Sequence, residues 1–220
     1  MSIRAIITGT TGMVGEGVLH ECLLHPDVEQ VLVINRKPCG ISHPKLKEII
    51  HNDFFDMSSI QSQLVNYNAC YFCLGITSLR ATEEQYTKVT YTLTLYIAEL
   101  LAKQNPDMVF CYVSGAGTDG TETKKNMWMR VKGKTENDLM RLHFKKAYMF
   151  RPGFMRPTKG LKNTLKLYKP LDWLFPLLRM LFPKFVCTLK EVGVAMINAA
   201  TKGYPKSVLE VKDIVALAKE

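Results

Sequence analysis

Three observations place this 220-residue chain in the α/β class, as a doubly wound parallel sheet. An apolar run, Ile3-Arg4-Ala5-Ile6-Ile7-Thr8, empties into glycines spaced three apart at Gly9, Gly12 and Gly15. Beyond it, short β-branched runs alternate with amphipathic stretches of helical length, the pattern of parallel βαβ units joined by right-handed crossovers. No internal repeat, low-complexity tract or flexible linker interrupts the alternation, so residues 1–220 are expected to form a single domain.

The first strand, Ile3 to Thr8, is nearly continuous in apolar and β-branched residues, as suits a strand buried on both faces. Gly9 can turn the chain sharply, and Gly12 has no Cβ to hold a diphosphate away from the backbone. Gly15 lets the following helix, 13–24, lie close to the strand. That helix would aim its unpaired N–H groups and positive dipole end at phosphates. Gly9, Thr11, Gly12, Met13 and Val14 are therefore candidate dinucleotide-binding positions.

The second strand, 30–36, ends about twenty residues beyond Gly15, where NAD-preferring folds carry an acid that grips the ribose hydroxyls. Here it ends in Arg36, followed by Lys37. A carboxylate would repel a 2′-phosphate, whereas a guanidinium pairs with it. NADP(H) is thus expected over NAD(H), with Arg36 as the discriminating ligand; a merely solvated loop arginine is the plain alternative. After a loop with Pro38, Gly40 and Pro44 comes a third strand, 47–52, ending at Asp53 and Phe54, a carboxylate and a ring that could meet the adenine.

A helix-like stretch, 58–65, leads to a fourth strand, 69–75, which ends on Leu74 and Gly75, where backbone again has to pass close to a cofactor. Thr82-Glu83-Glu84-Gln85 has the form of a capping box opening a long helix to about Gln104, with Tyr86, Val89, Leu93, Ile97, Leu100 and Leu101 on one face. Asn105-Pro106 stops it. A fifth strand, 108–113, ends on Ser114-Gly115-Ala116-Gly117; a helix over 126–143 and a strand over 147–150 lead to Arg151-Pro152-Gly153. Thr188-Leu189-Lys190-Glu191 opens another helix that Gly203 closes, 207–211 reads as a last short strand, and Asp213 as the cap of a final helix.

The apolar share of 47% suits a globular core. Met1-Ser2 runs into the first strand with no charged-then-apolar leader, and no uncharged stretch has the length of a membrane span, so a cytoplasmic protein is expected. Buried, reduced thiols are the plain expectation for the six cysteines. Cys70 and Cys73 have the spacing of a redox pair, but a strand would turn them to opposite faces. No Cys or His cluster has metal-ligand spacing, so no metal is expected. Charge is uneven: residues 1–110 carry 8 Lys/Arg against 11 Asp/Glu, and residues 111–220 carry 21 against 9. Such a basic half suits nucleic acid, an anionic membrane, a phosphorylated ligand or plain solvation, and net charge does not choose among them.

Taken together, Thr8-Gly9-Thr10-Thr11-Gly12-Met13-Val14-Gly15, Cys73-Leu74-Gly75, Val113-Ser114-Gly115, Val131-Lys132-Gly133-Lys134-Thr135-Glu136 and Arg151-Pro152-Gly153 resemble the atypical or extended short-chain dehydrogenase/reductases, with an NAD(P)-binding Rossmann fold, over about residues 1–155. Cys73-Leu74-Gly75 and Val-Lys-Gly-x-x-Glu look most like the Tat-interacting-protein-like oxidoreductases. The resemblance implies cofactor contacts from Leu74, Gly75, Lys132, Arg151 and Pro152. It also implies that Ser114, at the end of the fifth strand, orients a substrate carbonyl, and that Lys132 belongs to a Tyr-x-x-x-Lys pair. Residues i and i+4 share a helix face, so the ammonium could depress a phenol pKa and hold the ribose.

The sequence departs from the family at the position four before Lys132, where Trp128 stands in place of tyrosine. An indole N–H donates a hydrogen bond but supplies no useful acid or base near neutral pH. Tyr112 is near in sequence but lies within a strand and is not expected to be the missing acid. The expected catalytic pair is therefore Ser114 and Lys132, with no proton donor assigned.

Residues 154–187 are basic and amphipathic, with lysines at 159, 162, 166, 169 and 184 and Arg179 among leucines and aromatics that include Tyr168 and Trp173, broken by Pro170, Pro176 and Pro183. By resemblance this is a small C-terminal helical lid over the substrate. A peripheral membrane contact through 159–184 is the second reading, and nucleic acid the least expected. The sequence thus predicts an NADP(H)-binding oxidoreductase acting on a small apolar carbonyl or alcohol. A catalytically silent NADP(H) sensor is the alternative that Trp128 raises, and a membrane-associated scaffold a third.

Overall fold

The computed structural model describes residues 2–164 and 174–220. Seven strands form one fully parallel sheet: β1 (Ile3–Thr8), β2 (Val28–Asn35), β3 (Leu46–Ile50), β4 (Ala69–Phe72), β5 (Val109–Val113), β6 (Lys146–Arg151) and, last in the chain, β9 (Val208–Glu210). Their order is β3-β2-β1-β4-β5-β6-β9. The chain winds outward from β1 to β3, then returns to β4 on the other side of β1. That reversal opens a crevice above the carboxyl ends of β1 and β4, where ligands bind in folds of this kind.

Strand side chains alternate between two cores. Ala5 and Ile7 of β1, with Val109 and Cys111 of β5, face α1 (Met13–Leu24), α6 (Leu189–Thr201) and α7 (Val211–Leu217). Ile6, Phe110 and Tyr112 face the opposite layer, with Ile97 and Leu101 of α3 (Leu93–Gln104) and Leu139 of α4 (Met127–Leu139). The same alternation separates Cys70, buried in the second core, from Cys73, packed against the first; all six cysteines are free.

The long helix after the fourth strand opens with the expected box, Thr82 Oγ1 accepting from the Gln85 N–H and Gln85 Oε1 from the Thr82 N–H, each at 3.2 Å. It runs through α2 (Glu83–Thr87), a π-helical turn (Lys88–Thr92) and α3. Thr188 and Glu191 form a second reciprocal box at α6. At α7 the cap is Glu210 rather than Asp213, which instead sits at the third helical position and reaches back to the Glu210 N–H.

Two further expectations are corrected. Residues 58–65 form only a single 3-10 turn, Gln61–Gln63, because Asp53 and Asp56 side chains take the N–H groups of Phe55 and Ser58 and tie the preceding backbone into local turns. The 154–187 segment, expected to be a helical lid, is also not purely helical. It contains β7 (Phe154–Arg156) paired in parallel with β8 (Val186–Thr188), and the short helix α5 (Phe175–Leu181). The expected amphipathic positions Leu165, Lys166, Tyr168, Lys169, Pro170, Leu171 and Trp173 lie outside the described residues.

Candidate active site

Two adjoining cavities make one groove across the carboxyl ends of the strands, sharing Gly12, Cys73, Leu74 and Gly75 as walls. The first, of about 180 Å³, is further lined by Gly9, Thr11, Asn35, Arg36 and Phe54. The second, of about 400 Å³, reaches Met13, Val14, Tyr112, Ser114, Lys132 and Pro152.

Steric necessity builds the turn between β1 and α1. Gly9 has φ +75°, and a Cβ there would lie 2.7 Å from the Cys73 carbonyl oxygen. A Cβ on Gly15 would lie 2.2 Å from the Gly9 oxygen, so strand and helix approach at a distance only glycine permits. Gly12 caps α1 without a side chain. The N–H groups of Met13 and Val14 precede the first intrahelical bond, from Glu16 N–H to Gly12 O at 3.0 Å, and stand at the groove wall.

At the end of β2 the buried Asn35 amide donates to Thr10 Oγ1 at 2.7 Å and to Glu48 Oε1 at 2.9 Å, and Glu48 also accepts the Cys39 N–H at 2.8 Å. These bonds lock the glycine turn to the loop that follows and leave the exposed Arg36 lining the groove. Of the Asp53-Phe54 pair only Phe54 reaches it; Asp53 is exposed and its Oδ1 accepts the Phe55 N–H at 2.9 Å.

The other end is organised by a carboxylate absent from the expected set. Glu136 is 1% exposed. It accepts from Arg151 Nε at 3.0 Å and Arg151 Nη2 at 2.5 Å, and from Ser114 Oγ at 2.5 Å. Arg151 also donates to Glu210 Oε1 at 3.1 Å. Arg151 is thus committed to two carboxylates and is not among the groove's lining residues, whereas its neighbour Pro152 is. Ser114 lines the groove, but its single hydroxyl proton lies between Glu136 and, at 3.1 Å, the Phe150 carbonyl. The legible hint to Glu136 was its place in the Val131-Lys132-Gly133-x-x-Glu136 pattern, one helical turn after Lys132.

Lys132 donates to the backbone carbonyls of Ser114 and, at 3.4 Å, Val113, which uses two of its three N–H bonds and leaves the third for the cavity. Burial lowers its pKa from 10.5 to about 8, with Glu136 opposing the shift. Since folding lowers the pKa, the unfolded chain binds more protons between those two values, and the penalty is fully present below pH 8. Native protein is therefore expected to gain stability as pH rises from about 8 to 10.5, relative to Lys132→Met, in urea unfolding series. Equal slopes for the two would contradict a desolvated ammonium.

Trp128 does not line the groove. Its ring packs over the backbone of Gly115 and Gly117, 3.9 and 3.6 Å from where their Cβ atoms would be. Among the lining residues outside the expected set are Tyr112 and Thr90. Tyr112 projects into the second cavity from the end of β5, with burial raising its pKa. Thr90 sits on the π turn, whose extra residue no sequence periodicity marks.

The family described as the NAD dependent epimerase/dehydratase family matches residues 5–136, a span that holds the glycine turn, Arg36, Ser114 and Lys132. The chain belongs to that family. Relatives it resembles include Protein FMP52, mitochondrial, of Candida albicans, 27% identical over 213 residues, 91% of this chain and 89% of that protein. Protein FMP52, mitochondrial, of Saccharomyces cerevisiae is 27% identical over 154 residues, 69% of this chain and 65% of that one. Among solved structures, the Bordetella bronchiseptica enzyme WbmG in complex with NAD aligns at TM-score 0.69 with 12% identity, over 99% of this chain and 77% of that one. A UDP-galactose 4-epimerase aligns at 0.65 with 14% identity, over 97% and 81%. At such identities these likenesses show the fold alone. The compartment in the relatives' names overturns the cytoplasmic expectation, which rested on a missing secretory leader, a feature that does not report on organelles.

Proposed function

We propose that this member of the epimerase/dehydratase family binds NADP(H) along the groove and transfers hydride between the cofactor and a small apolar carbonyl or alcohol, in mitochondria as the names of its relatives indicate. The observation that carries this is the continuous groove from Arg36, across the Gly12 turn, to Lys132. A dinucleotide fits the residues present. A Cβ on Gly12 would meet only the Gly9 oxygen, at 3.4 Å, so the turn stays open to a diphosphate, and the first N–H groups of α1 are there to receive it. Phe54 would stand against the adenine, and Arg36 would pair with the 2′-phosphate that distinguishes NADP. Lys132 would hold the nicotinamide ribose. Cys73-Leu74-Gly75 and the Val131-Lys132-Gly133-x-x-Glu136 pattern support a likeness to the Tat-interacting-protein-like oxidoreductases within that family.

The bound nicotinamide supplies or accepts the hydride; the chain orients the substrate and carries the proton. The Ser114 hydroxyl donates its hydrogen bond to Glu136, so Ser114 acts as a positioning residue that fixes the end of β5. The Lys132 ammonium, titrating near 8, is the group in the cavity able to give a proton to a carbonyl oxygen and regain it from water. With NADPH and a panel of aldehydes and ketones, Lys132→Ala is expected to lower kcat/KM by about 10²–10⁴, and Ser114→Ala by clearly less. Native turnover retained in Lys132→Ala would overturn the assignment.

Trp128 favours a second reading, a catalytically silent NADP(H) sensor, because it stands where the family's acid would be and packs on glycine backbone instead. NADPH binding without turnover in the native protein, with turnover created by Trp128→Tyr, would support the sensor; native turnover would defeat it.

A further inference from the structure

We propose that residues 176–185 are a contact surface for an anionic lipid bilayer. Thirteen large hydrophobic side chains are exposed among the described residues. Eight are scattered between Leu24 and Met140, while the other five, Leu177, Met180, Leu181, Phe182 and Phe185, fall within nine residues, with Met180 70% and Phe185 59% exposed. Scattered apolar residues need no explanation, but a contiguous cluster marks a surface that something covers.

The inner side of the same segment is firmly mounted. Phe175 is buried, with the guanidinium of Arg156 4.8 Å from its ring centroid. Arg179 donates to both oxygens of Glu191 on α6, at 2.6 and 3.0 Å. The apolar side chains are therefore held outward by a rigid support.

Charge selects the occupant. From residue 174 to 190 the sequence has Arg179, Lys184 and Lys190 and no acid. The acids beside it are engaged: Glu191 is used by Arg179 and by the cap of α6, and Glu21 of α1 faces Lys190, which leaves Lys184 as the cation of this stretch without an acidic neighbour among the described residues. A second copy of the chain would bring two basic faces together in a self-complementary interface, an arrangement that like charge opposes. A nucleic acid would satisfy the lysines but leave the leucine, methionine and phenylalanine side chains in water. A bilayer with anionic headgroups takes both, the apolar side chains into the acyl boundary and Lys184 at the phosphates. The surface leads directly into β8, which pairs with β7, whose Met155 lines the groove, so the contact would set the groove near the lipid.

The test is co-sedimentation of the full chain with phosphatidylcholine vesicles, with and without phosphatidylglycerol, at low and high salt. Native protein is expected to bind the anionic vesicles and to be released by salt. Met180→Glu/Phe182→Glu is expected to lower that binding at least about tenfold with melting temperature and NADPH affinity unchanged, and Lys184→Glu to lower it as well. Absence of binding to anionic vesicles, equal binding to neutral ones, or undiminished binding by Met180→Glu/Phe182→Glu would each overturn the proposal. So would a native dimer in sedimentation velocity that the same substitutions dissolve, since the surface would then be covered by a second copy.

Discussion

Replacing Glu136 with alanine is expected to cost about 3 kcal/mol of folding stability, because it leaves a largely buried guanidinium without its main partner. Arg151 is 15% exposed and makes three bonds to Glu136, against a single 3.1 Å bond to Glu210, which is half in solvent. The remaining pair cannot replace the lost one, and the Ser114 hydroxyl loses its acceptor as well. For a chain of this size that cost corresponds to a fall of roughly 6–12 °C in Tm. Glu136→Gln keeps the volume and an acceptor for Ser114 but removes the charge, so it is expected to fall between native and alanine. A Glu136→Ala protein as stable as native in urea unfolding would show that the network is ornamental.

Gly133→Val is expected to be at least as damaging. A Cβ at Gly133 would lie 1.7 Å from the Asp119 carbonyl oxygen and 2.4 Å from its carbon, both backbone atoms that no rotamer change can move. The Asp119 N–H also bonds the Met129 carbonyl at 3.0 Å, and the Asp119 carboxylate accepts four bonds from Thr121, Thr123 and Lys124, so this loop is fixed from several sides. Helix α4 must then be pushed away, carrying the adjacent Lys132 with it. Overpacking of this kind costs about 1–3 kcal/mol or more, and here the displacement falls on the groove. Loss of NADPH affinity should accompany the fall in Tm; a variant that melted like native would mean that α4 does not pack as closely as the structure has it.

Local physics made much of this fold legible in the sequence. The glycine spacing of the first turn, the capping boxes at Thr82 and Thr188 and the β-branched runs are each set by residues within a few positions of one another. The stop at Asn105-Pro106 was legible for the same reason. The groove could be anticipated in outline, since Gly12, Arg36, Leu74, Gly75 and Lys132 all stand at strand ends or on the helix expected beside them. What could not be read was how side chains share partners across the sheet. Arg151 and Ser114 are both at strand ends, yet Glu136 on α4 claims them, from 15 and 22 residues away in the chain. The 154–187 segment misled for a related reason: β7 and β8 are three residues each and pair with one another from its two ends, so neither shows a periodicity of its own. The 58–65 stretch has apolar residues at helical spacing, but a piece that short needs its turn residues to agree, and the aspartates before it favour turns.

The most direct test of the central claim is a calorimetric titration of the native protein with NADPH and, separately, NADH, repeated on Arg36→Glu. The groove from Arg36 to Lys132 predicts NADPH binding tighter than NADH in the native protein, and a reversal of that preference when a carboxylate faces the 2′-phosphate. If neither nucleotide bound the native protein, or if Arg36→Glu left the NADPH affinity unchanged, the assignment of this groove to NADP(H) would be contradicted.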